Sequence, residues 1–358
     1  MPSRERAVQQ TREDTIDCSC CGAEVRESRS EEAYGDLYCI NCFCEYYNYC
    51  YSCDIVVDMD EAVYFRDDCY CQDCAPNGIY ENIDRLESLS LPTSSICTHR
   101  SEYIEEFPVN RMVGVEVECM VPDEDGIASP ENWVNCSDGS ISSISGYSGV
   151  EMVSYPANSV ALLGNISNII EWRDTYGAIV NKSCGLHIHF NSLDMTAREV
   201  AHIGIVYNHF QEMLKEMMPN SRQDSNWCKD FTLDSRTLRN VDDEETLINL
   251  YYEYMMGSVP STDKYNDARY CALNIHSRYY HGSLEFRLHS GTISKVKILN
   301  WIQILNCIVE KGIEISQYKE DEFKKYISTS YVRHIVPTFG QELATYINKR
   351  IAKFKGDR

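Results

Sequence analysis

From Val113 to Cys119 apolar or small and acidic residues alternate without a break, Val-Gly-Val-Glu-Val-Glu-Cys. Successive side chains of a strand point to opposite faces. Glu116 and Glu118 therefore share one face, and Val115, Val117 and Cys119 the other. The same period of two returns in Gly149-Val-Glu151-Met-Val-Ser-Tyr-Pro156, in Cys184-Gly-Leu-His187-Ile-His189-Phe190 and in Ser283-Leu-Glu285-Phe-Arg287-Leu-His289. Each predicts a strand with one apolar and one ionisable face, and the last of them groups Glu285, Arg287 and His289. A further strand is predicted at Tyr270–His276. Helical periodicity predicts helices over Val160–Tyr176, Met195–Met218, 241–256 and Lys295–Ser316, with two more closing the chain. Thr196 followed three residues later by Glu199 forms a capping box at the start of the second helix, and Pro219 ends it. The stretch between Val121 and Ser148 is loop-like, rich in Gly, Ser, Asp and Asn, and residues 220–240 are polar. The predicted class is α+β, a largely antiparallel sheet backed by helices.

Ahead of this lie four Cys-x-x-Cys pairs: Cys18/Cys21, Cys39/Cys42, Cys50/Cys53 and Cys71/Cys74. The second quartet repeats the first at an offset of 32 residues, and Tyr38 and Tyr70 keep that offset. Two thiolates at this spacing grip one tetrahedral Zn²⁺, so two tandem Cys₄ zinc modules are expected. They resemble LIM-like and other treble-clef pairs. Cys69 stands as an alternative to Cys71. The expected division is a lead-in over 1–15, zinc modules over 16–76, a linker over 77–107 and one larger domain over 108–358.

Charge narrows the partners. The chain of 358 residues carries a net charge of −22, and residues 1–90 hold seven arginines, no lysine and twenty acids. Such a surface repels a polyanion, which argues against nucleic acid. No apolar run is long enough to span a bilayer, and the charged N-terminus lacks an apolar stretch behind it, so a cytoplasmic protein without membrane contact is expected. Eighteen cysteines in that compartment are expected to stay reduced and bind metal.

If the alternating strands share one sheet, their polar face collects Glu116, Glu118, Glu151, His187, His189, Glu285 and Arg287. A wet amphipathic face with a Glu285/Arg287 ion pair is the plainer alternative. Four carboxylates and a histidine suit two Mg²⁺ ions, and an arginine between them suits a phosphate oxygen. The sequence holds no Gly-x-x-x-x-Gly-Lys-Ser/Thr loop, no Gly-x-Ser-x-Gly elbow and no His-Glu-x-x-His pair, which leaves metal-assisted phosphoryl chemistry.

The ordered motifs Gly-Val-Glu-Val-Glu, Asp138-Gly-Ser140, Gly-Val-Glu-Met-Val-Ser-x-Pro, Cys-Gly-Leu-His-Ile-His, Arg269-Tyr-Cys-Ala-Leu-Asn274 and Leu-Glu-Phe-Arg-x-x-x-Gly-Thr resemble the amidoligase family. That family belongs to the carboxylate–amine ligase superfamily with glutamine synthetase and glutamate–cysteine ligase. The resemblance covers roughly residues 110–315 and leaves out the zinc modules. It implies a concave sheet face that binds ATP with two Mg²⁺, and amide formation through an acyl phosphate. Glu118 and Glu151 would hold the metal nearer the substrate; Glu116, His187 and Glu285 would hold the metal bridging the phosphates. Arg287 would stabilise the transferred phosphoryl group, with Arg269, Asn274 and Asp138 near phosphate or substrate and His189 in a substrate or supporting position. A nucleotide-base pocket finds no match. Asp123–Ser148 and Ser221–Arg239 are candidate mobile covers, and Ser221-Arg-x-x-x-Asn-Trp-Cys228 is similar to a family segment. Amino-acid or peptide carboxylates and amines are the expected substrates, with a protein partner on the zinc modules. The alternative is a catalytically inactive ligase-like protein that acts as a zinc-dependent interaction module.

Overall fold

The computed structural model describes residues 15–50, 53, 55–58, 62–65, 68–71, 107, 109–124, 126–136, 138–223 and 227–355. Residues 1–14 of the expected lead-in, 77–106 of the expected linker, and Cys74 lie outside them. The chain divides into two compact units, residues 1–83 and 84–358.

The described strands of the first unit occur as two sets of paired strands, 32 residues apart. β1 (Thr15–Asp17) pairs with β2 (Glu24–Arg26), and β3 (Ser30–Ala33) with β4 (Asp36–Cys39), which leads into α1 (Ile40–Tyr46). Thirty-two residues on, β5 (Tyr47–Tyr49) pairs with β6 (Val56–Asp58), and β7 (Val63–Phe65) with β8 (Asp68–Tyr70). The turn of each first Cys-x-x-Cys pair closes alike: the Cys18 amide donates to Ala23 O at 2.9 Å and the Cys50 amide to Ile55 O at 2.8 Å.

In the second unit the strands are β9 (Val113–Pro122), β10 (Trp133–Cys136), β11 (Tyr147–Ser154), β12 (Gly185–Asn191), β13 (Leu273–Asn274) and β14 (Ser283–Ser290). They form one antiparallel sheet in the order β10-β11-β9-β12-β14-β13. Val113, Val115, Val117 and Cys119 of β9, with Leu186, Ile188 and Phe190 of β12, are fully buried in the core, as the alternation requires. Three long helices share that core: α2 (Ser159–Tyr176), α3 (Ala197–Glu216) and α8 (Lys295–Ser316). α3 begins where expected, on a complete Thr196/Glu199 capping box. Short helices α4 (Asn220–Gln223), α5 (Ser235–Arg239), α6 (Glu244–Ile248, continuing as a π-helix to Met256) and α7 (His276–Tyr280) link the larger elements. α9 (Glu320–Ser328) and α10 (Ile335–Lys355, kinked at Gly340) close the chain.

Three local expectations change. The strand expected at Tyr270–His276 shrinks to Leu273–Asn274, because a 3₁₀ turn capped by Asn266 occupies Asp267–Arg269 and α7 starts at His276. Buried Arg278 anchors α7 by donating to Ser192 O, to Met195 O at 2.9 Å and to Glu244 Oε1 at 2.9 Å. The loop expected between Val121 and Ser148 contains β10, whose buried Trp133 donates its indole N–H to Asn165 O at 2.9 Å. The polar stretch 220–240 buries Phe231 and Leu233 against α3, where Gln211 accepts from the Phe231 amide at 2.7 Å.

α3 and α8 touch so closely that a Cβ at Gly312 would lie 2.5 Å from Ile203 Cα and 2.7 Å from its amide nitrogen. In an isolated helix Gly→Ala gains about 1 kcal/mol of propensity. Here backbone meets the new methyl, and overpacking of about 1–3 kcal/mol wins. Gly312→Ala should therefore lower the denaturation midpoint; a raised midpoint would contradict this packing.

Candidate functional site

Pairing sets out the site residue by residue. Glu151 of β11 stands directly opposite Glu118 of β9, His187 of β12 opposite Glu116, and His189 of β12 opposite Glu285 of β14. Asn274 of β13 faces Glu285 from the other side and donates to its Oε2 at 2.6 Å. The expected polar face thus exists as one patch across five strands. His187 Nδ1 lies 3.1 Å from Glu116 Oε2 and 3.5 Å from Glu285 Oε1, and its Nε2 lies 3.5 Å from Glu118 Oε1. His189 Nε2 lies 3.1 Å from Glu116 Oε1, while its Nδ1 faces the Ser283 hydroxyl at 2.9 Å. Arg287 donates to Glu285.

His289 does not join them. The register between β12 and β14 slips between Leu186 and Ile188, a bulge that places two β14 residues against one. After the slip His289 stands opposite Leu186, on the helix side, where its ring lies 5.1 Å from that of Trp301. Burial pushes its imidazole down to about 3, so it is neutral.

Side chains of this patch form three groups whose ligand atoms lie within 4.8 Å of one another: Glu116/His189/Glu285, Glu116/Glu151/His187 and Glu118/Asp138/Glu151. Asp138 reaches the patch from a tight turn, its carboxylate accepting from the Ser140 amide at 2.7 Å. The groups are electrostatically unlike. Burial pushes Glu116 up, but His189 and His187 outweigh it and hold the carboxyl well below the usual range. Burial likewise opposes ionisation of Glu285, yet Arg287 and the two imidazoles hold it at about 2, against Glu116. Glu151 goes the other way. Burial and the charges of Glu116, Asp138 and Glu118 push it well above the usual range, with Lys264 pulling back. The Glu118/Asp138/Glu151 group is thus all oxygen and short of positive charge, a donor set that suits a hard divalent cation such as Mg²⁺.

Beside it opens a cleft of about 360 Å³, lined by Glu118, Asp138, His187 and the cations Lys182, Arg222, Arg269 and Arg287, with Trp227 and Tyr270 among the remaining walls. Arg269 is clasped between Tyr265 and Tyr270, its guanidinium carbon 5.0 and 4.7 Å from their ring centres. The Nε atoms of Arg269 and Arg287 are buried without a hydrogen-bond acceptor.

Among the lining residues, Arg222, Lys182, Trp227 and Tyr270 escaped the sequence reading as site residues. Arg222 sits in a segment expected to be a mobile cover. It is instead buried, and donates to Arg287 O at 2.9 Å. It also explains Gly185, where an added Cβ would lie 2.7 Å from the Arg222 guanidinium and 2.8 Å from His187 Nε2. The close approach lets the Gly185 amide donate to Glu118 Oε2 at 2.5 Å.

In the first unit Cys18, Cys21, Cys39 and Cys42 bring four sulfurs within 4.8 Å of one another, as do Cys50, Cys53 and Cys71 with three. Cys71, rather than Cys69, joins that second group. The Sγ separations of 3.9 Å for Cys21/Cys39 and 3.8 Å for Cys53/Cys71 match the roughly 3.8 Å between tetrahedral sulfurs bound about 2.3 Å from zinc. Backbone amides of Cys21 and Cys39 pointing at its sulfur bring the Cys18 thiol down to about 6, which favours the ligating thiolate.

A mixed helical and antiparallel unit with a metal-suited carboxylate patch facing guanidinium groups defines a candidate phosphate-handling enzyme. The chain belongs to the amidoligase family: the family model described as "Putative amidoligase enzyme" matches residues 108–309. Comparison with curated proteins found no match. Among solved structures, a bifunctional glutathione synthetase from Pasteurella multocida is similar over 68% of this chain and 47% of that one, at 11% identity and a TM-score of 0.33. The chain thus spans about half the length of that enzyme. Among the described residues no helix is long and apolar enough to cross a membrane.

Proposed function

We propose that residues 108–358 catalyse ATP- and Mg²⁺-dependent joining of a carboxylate to an amine, with the zinc modules docking a protein partner or a macromolecular substrate. One observation carries the reading. Glu118 and Asp138, of the carboxylate group short of positive charge, line a single cleft with Arg269 and Arg287, whose buried Nε atoms lack an acceptor. A metal-bound polyphosphate supplies both deficits at once.

In this reading Glu118, Glu151 and Asp138 hold one Mg²⁺, and Glu116 and Glu285 with His187 or His189 hold a second. Bound Mg²⁺ would neutralise charge on the phosphate oxygens. Arg287 and Arg269 take the oxygens of the transferring phosphoryl group. Asn274 fixes the Glu285 carboxylate from behind, and Arg222 holds the strand that carries Arg287. The substrate carboxylate oxygen attacks the γ-phosphorus, and the bond to ADP breaks. The amine nitrogen then attacks the acyl carbon; phosphate leaves with its bonding pair, and the amine loses a proton. Phosphorylation turns a poor leaving group into a good one, and water, which would waste the acyl phosphate, has to be kept from it until the amine attacks.

The test is phosphate release from ATP by the purified chain, which should require both a carboxylate and an amine. Glu118→Ala and Glu285→Ala should each reduce it to background while the fold persists. Unchanged turnover in both would defeat the site assignment.

A further inference from the structure

Four tryptophans divide sharply. Trp133, Trp172 and Trp301 are at most 4% exposed, whereas Trp227 is 54% exposed, at the wall of the cleft. Leaving so large an apolar ring half in water forgoes its hydrophobic stabilisation, which a ligand would restore. The segment that follows Trp227 is tied to the Tyr270 segment, and the ring itself meets Tyr270. The Lys229 amide donates to Tyr270 O at 2.9 Å, the Ala272 amide donates to Lys229 O at 2.8 Å, and the indole meets the Tyr270 ring edge-on at 5.0 Å. Tyr270 in turn lies against the Arg269 guanidinium, and the Arg287 amide donates to Ala272 O at 3.0 Å. Three neighbouring backbone segments therefore order the wall as Arg287, then Arg269 with Tyr270, then Trp227.

This gradient runs from charge to aromatic surface, the same order as a nucleotide read from its terminal phosphate to its base. We propose that Trp227 is the platform on which the flat heterocyclic base of the phosphate-donating nucleotide stacks, its phosphates passing Tyr270 and Arg269 toward Arg287. Stacking on a π-face tolerates any base, so Trp227 provides affinity for a ring, and the choice among purines lies elsewhere. The inference rests on the ligase reading and supplies the base site that no sequence motif marked.

The experiment titrates the full chain with Mg²⁺-ATP and, as a ring-less probe, with inorganic tripolyphosphate and Mg²⁺. Calorimetry gives Kd, and the fluorescence difference between wild type and Trp227→Phe isolates the Trp227 signal. ATP should quench that signal, and tripolyphosphate should not. Trp227→Ala should weaken ATP about tenfold, leave tripolyphosphate unchanged, and be largely rescued by Trp227→Phe. Equal weakening of both ligands, or ATP affinity indifferent to Trp227, would overturn the platform and leave the ligase reading standing. Absence of any ATP binding by the wild type would overturn both.

Discussion

Replacing Arg287 with methionine should lower kcat for phosphate release by about 10³-fold or more, the range expected when an arginine neutralising a phosphoryl group in transfer is lost. The geometry explains why one side chain weighs so much. Arg287 occupies the bulge of β14, donates to Glu285, lines the cleft, and has a buried Nε without an acceptor. A planar guanidinium can satisfy a carboxylate with one edge and a phosphate with another; a lysine ammonium is a point charge that serves one geometry poorly. Arg287→Lys should therefore recover only a small part of the rate. KM for ATP should move less than kcat, because the interaction strengthens as charge builds on the phosphoryl oxygens. A loss below about tenfold, with the fold intact, would remove Arg287 from the role.

The same substitution tests the electrostatics in metal-free buffer. Burial and Glu116 oppose ionisation of Glu285, and Arg287 is the largest influence holding it at about 2. A carboxyl depressed in the folded state contributes stability above its unfolded value near 4.3, and that contribution fades as pH falls toward about 2. Without Arg287 the contribution shrinks, so wild type and Arg287→Met should differ in melting temperature at pH 7 and converge as the solution is acidified through that window. This divergence calls for the kinetic comparison to be made well below the lower melting temperature.

Much of the fold can be read from one-dimensional pattern because the sheet turns an apolar face to the helices and an ionisable face to the cleft. Period two in Val113–Cys119 and in Gly185–Phe190 tells which side chains meet the helices, and the pairing then lines up Glu116, Glu118, His187 and His189 without further information. The pattern fails where the backbone leaves its period. The bulge beside His187 is a register event between two strands, and nothing in Ser283–His289 itself announces that His289 turns to the helix layer. Asn274 ends a two-residue strand because α7 starts at His276, anchored through Arg278 to Glu244, Ser192 and Met195, all distant in sequence. Arg222 and Trp227 reach the cleft from a polar segment that the family likeness marks but to which local pattern assigns no role. The physical signal for Arg222 lies in Gly185, whose missing Cβ makes room for it. Such pairings across the fold carry no local periodicity, so charge and aromatic residues in irregular segments are where sequence reading misses site residues.

Removing metal from the first unit should have the largest effect on stability. Treating the chain with a strong chelator at pH 7 is expected to release two zinc ions and to open residues 15–71 to protease, leaving the family-matched residues 108–309 resistant. Among the described residues the apolar resources there are small. One cluster is Cys18, Cys39 and Cys42 with Val25 and Tyr38, and the other is Cys50, Val57, Cys69 and Cys71 with Ala62. An aromatic group around Tyr47, with Tyr38 at 5.1 Å and Phe43 at 5.8 Å, adds to the first. A buried valine or aromatic contributes about 1.5–3 kcal/mol, against about 1–2 kcal/mol for each ordered backbone residue. Strands of three or four residues cannot close that gap, whereas a structural zinc site contributes about 10–16 kcal/mol at pH 7. Cys18→Ser should lose one zinc and expose the first repeat, while Cys20→Ser, an exposed cysteine outside the sulfur group, should do neither. Equal zinc loss from the two variants, or protease resistance of residues 15–71 after chelation, would show that the repeat folds on its side chains alone. The depressed Cys18 thiol gives the direction with pH: protons compete with the metal more strongly as the solution passes below about 6, so zinc release at fixed chelator should accelerate there.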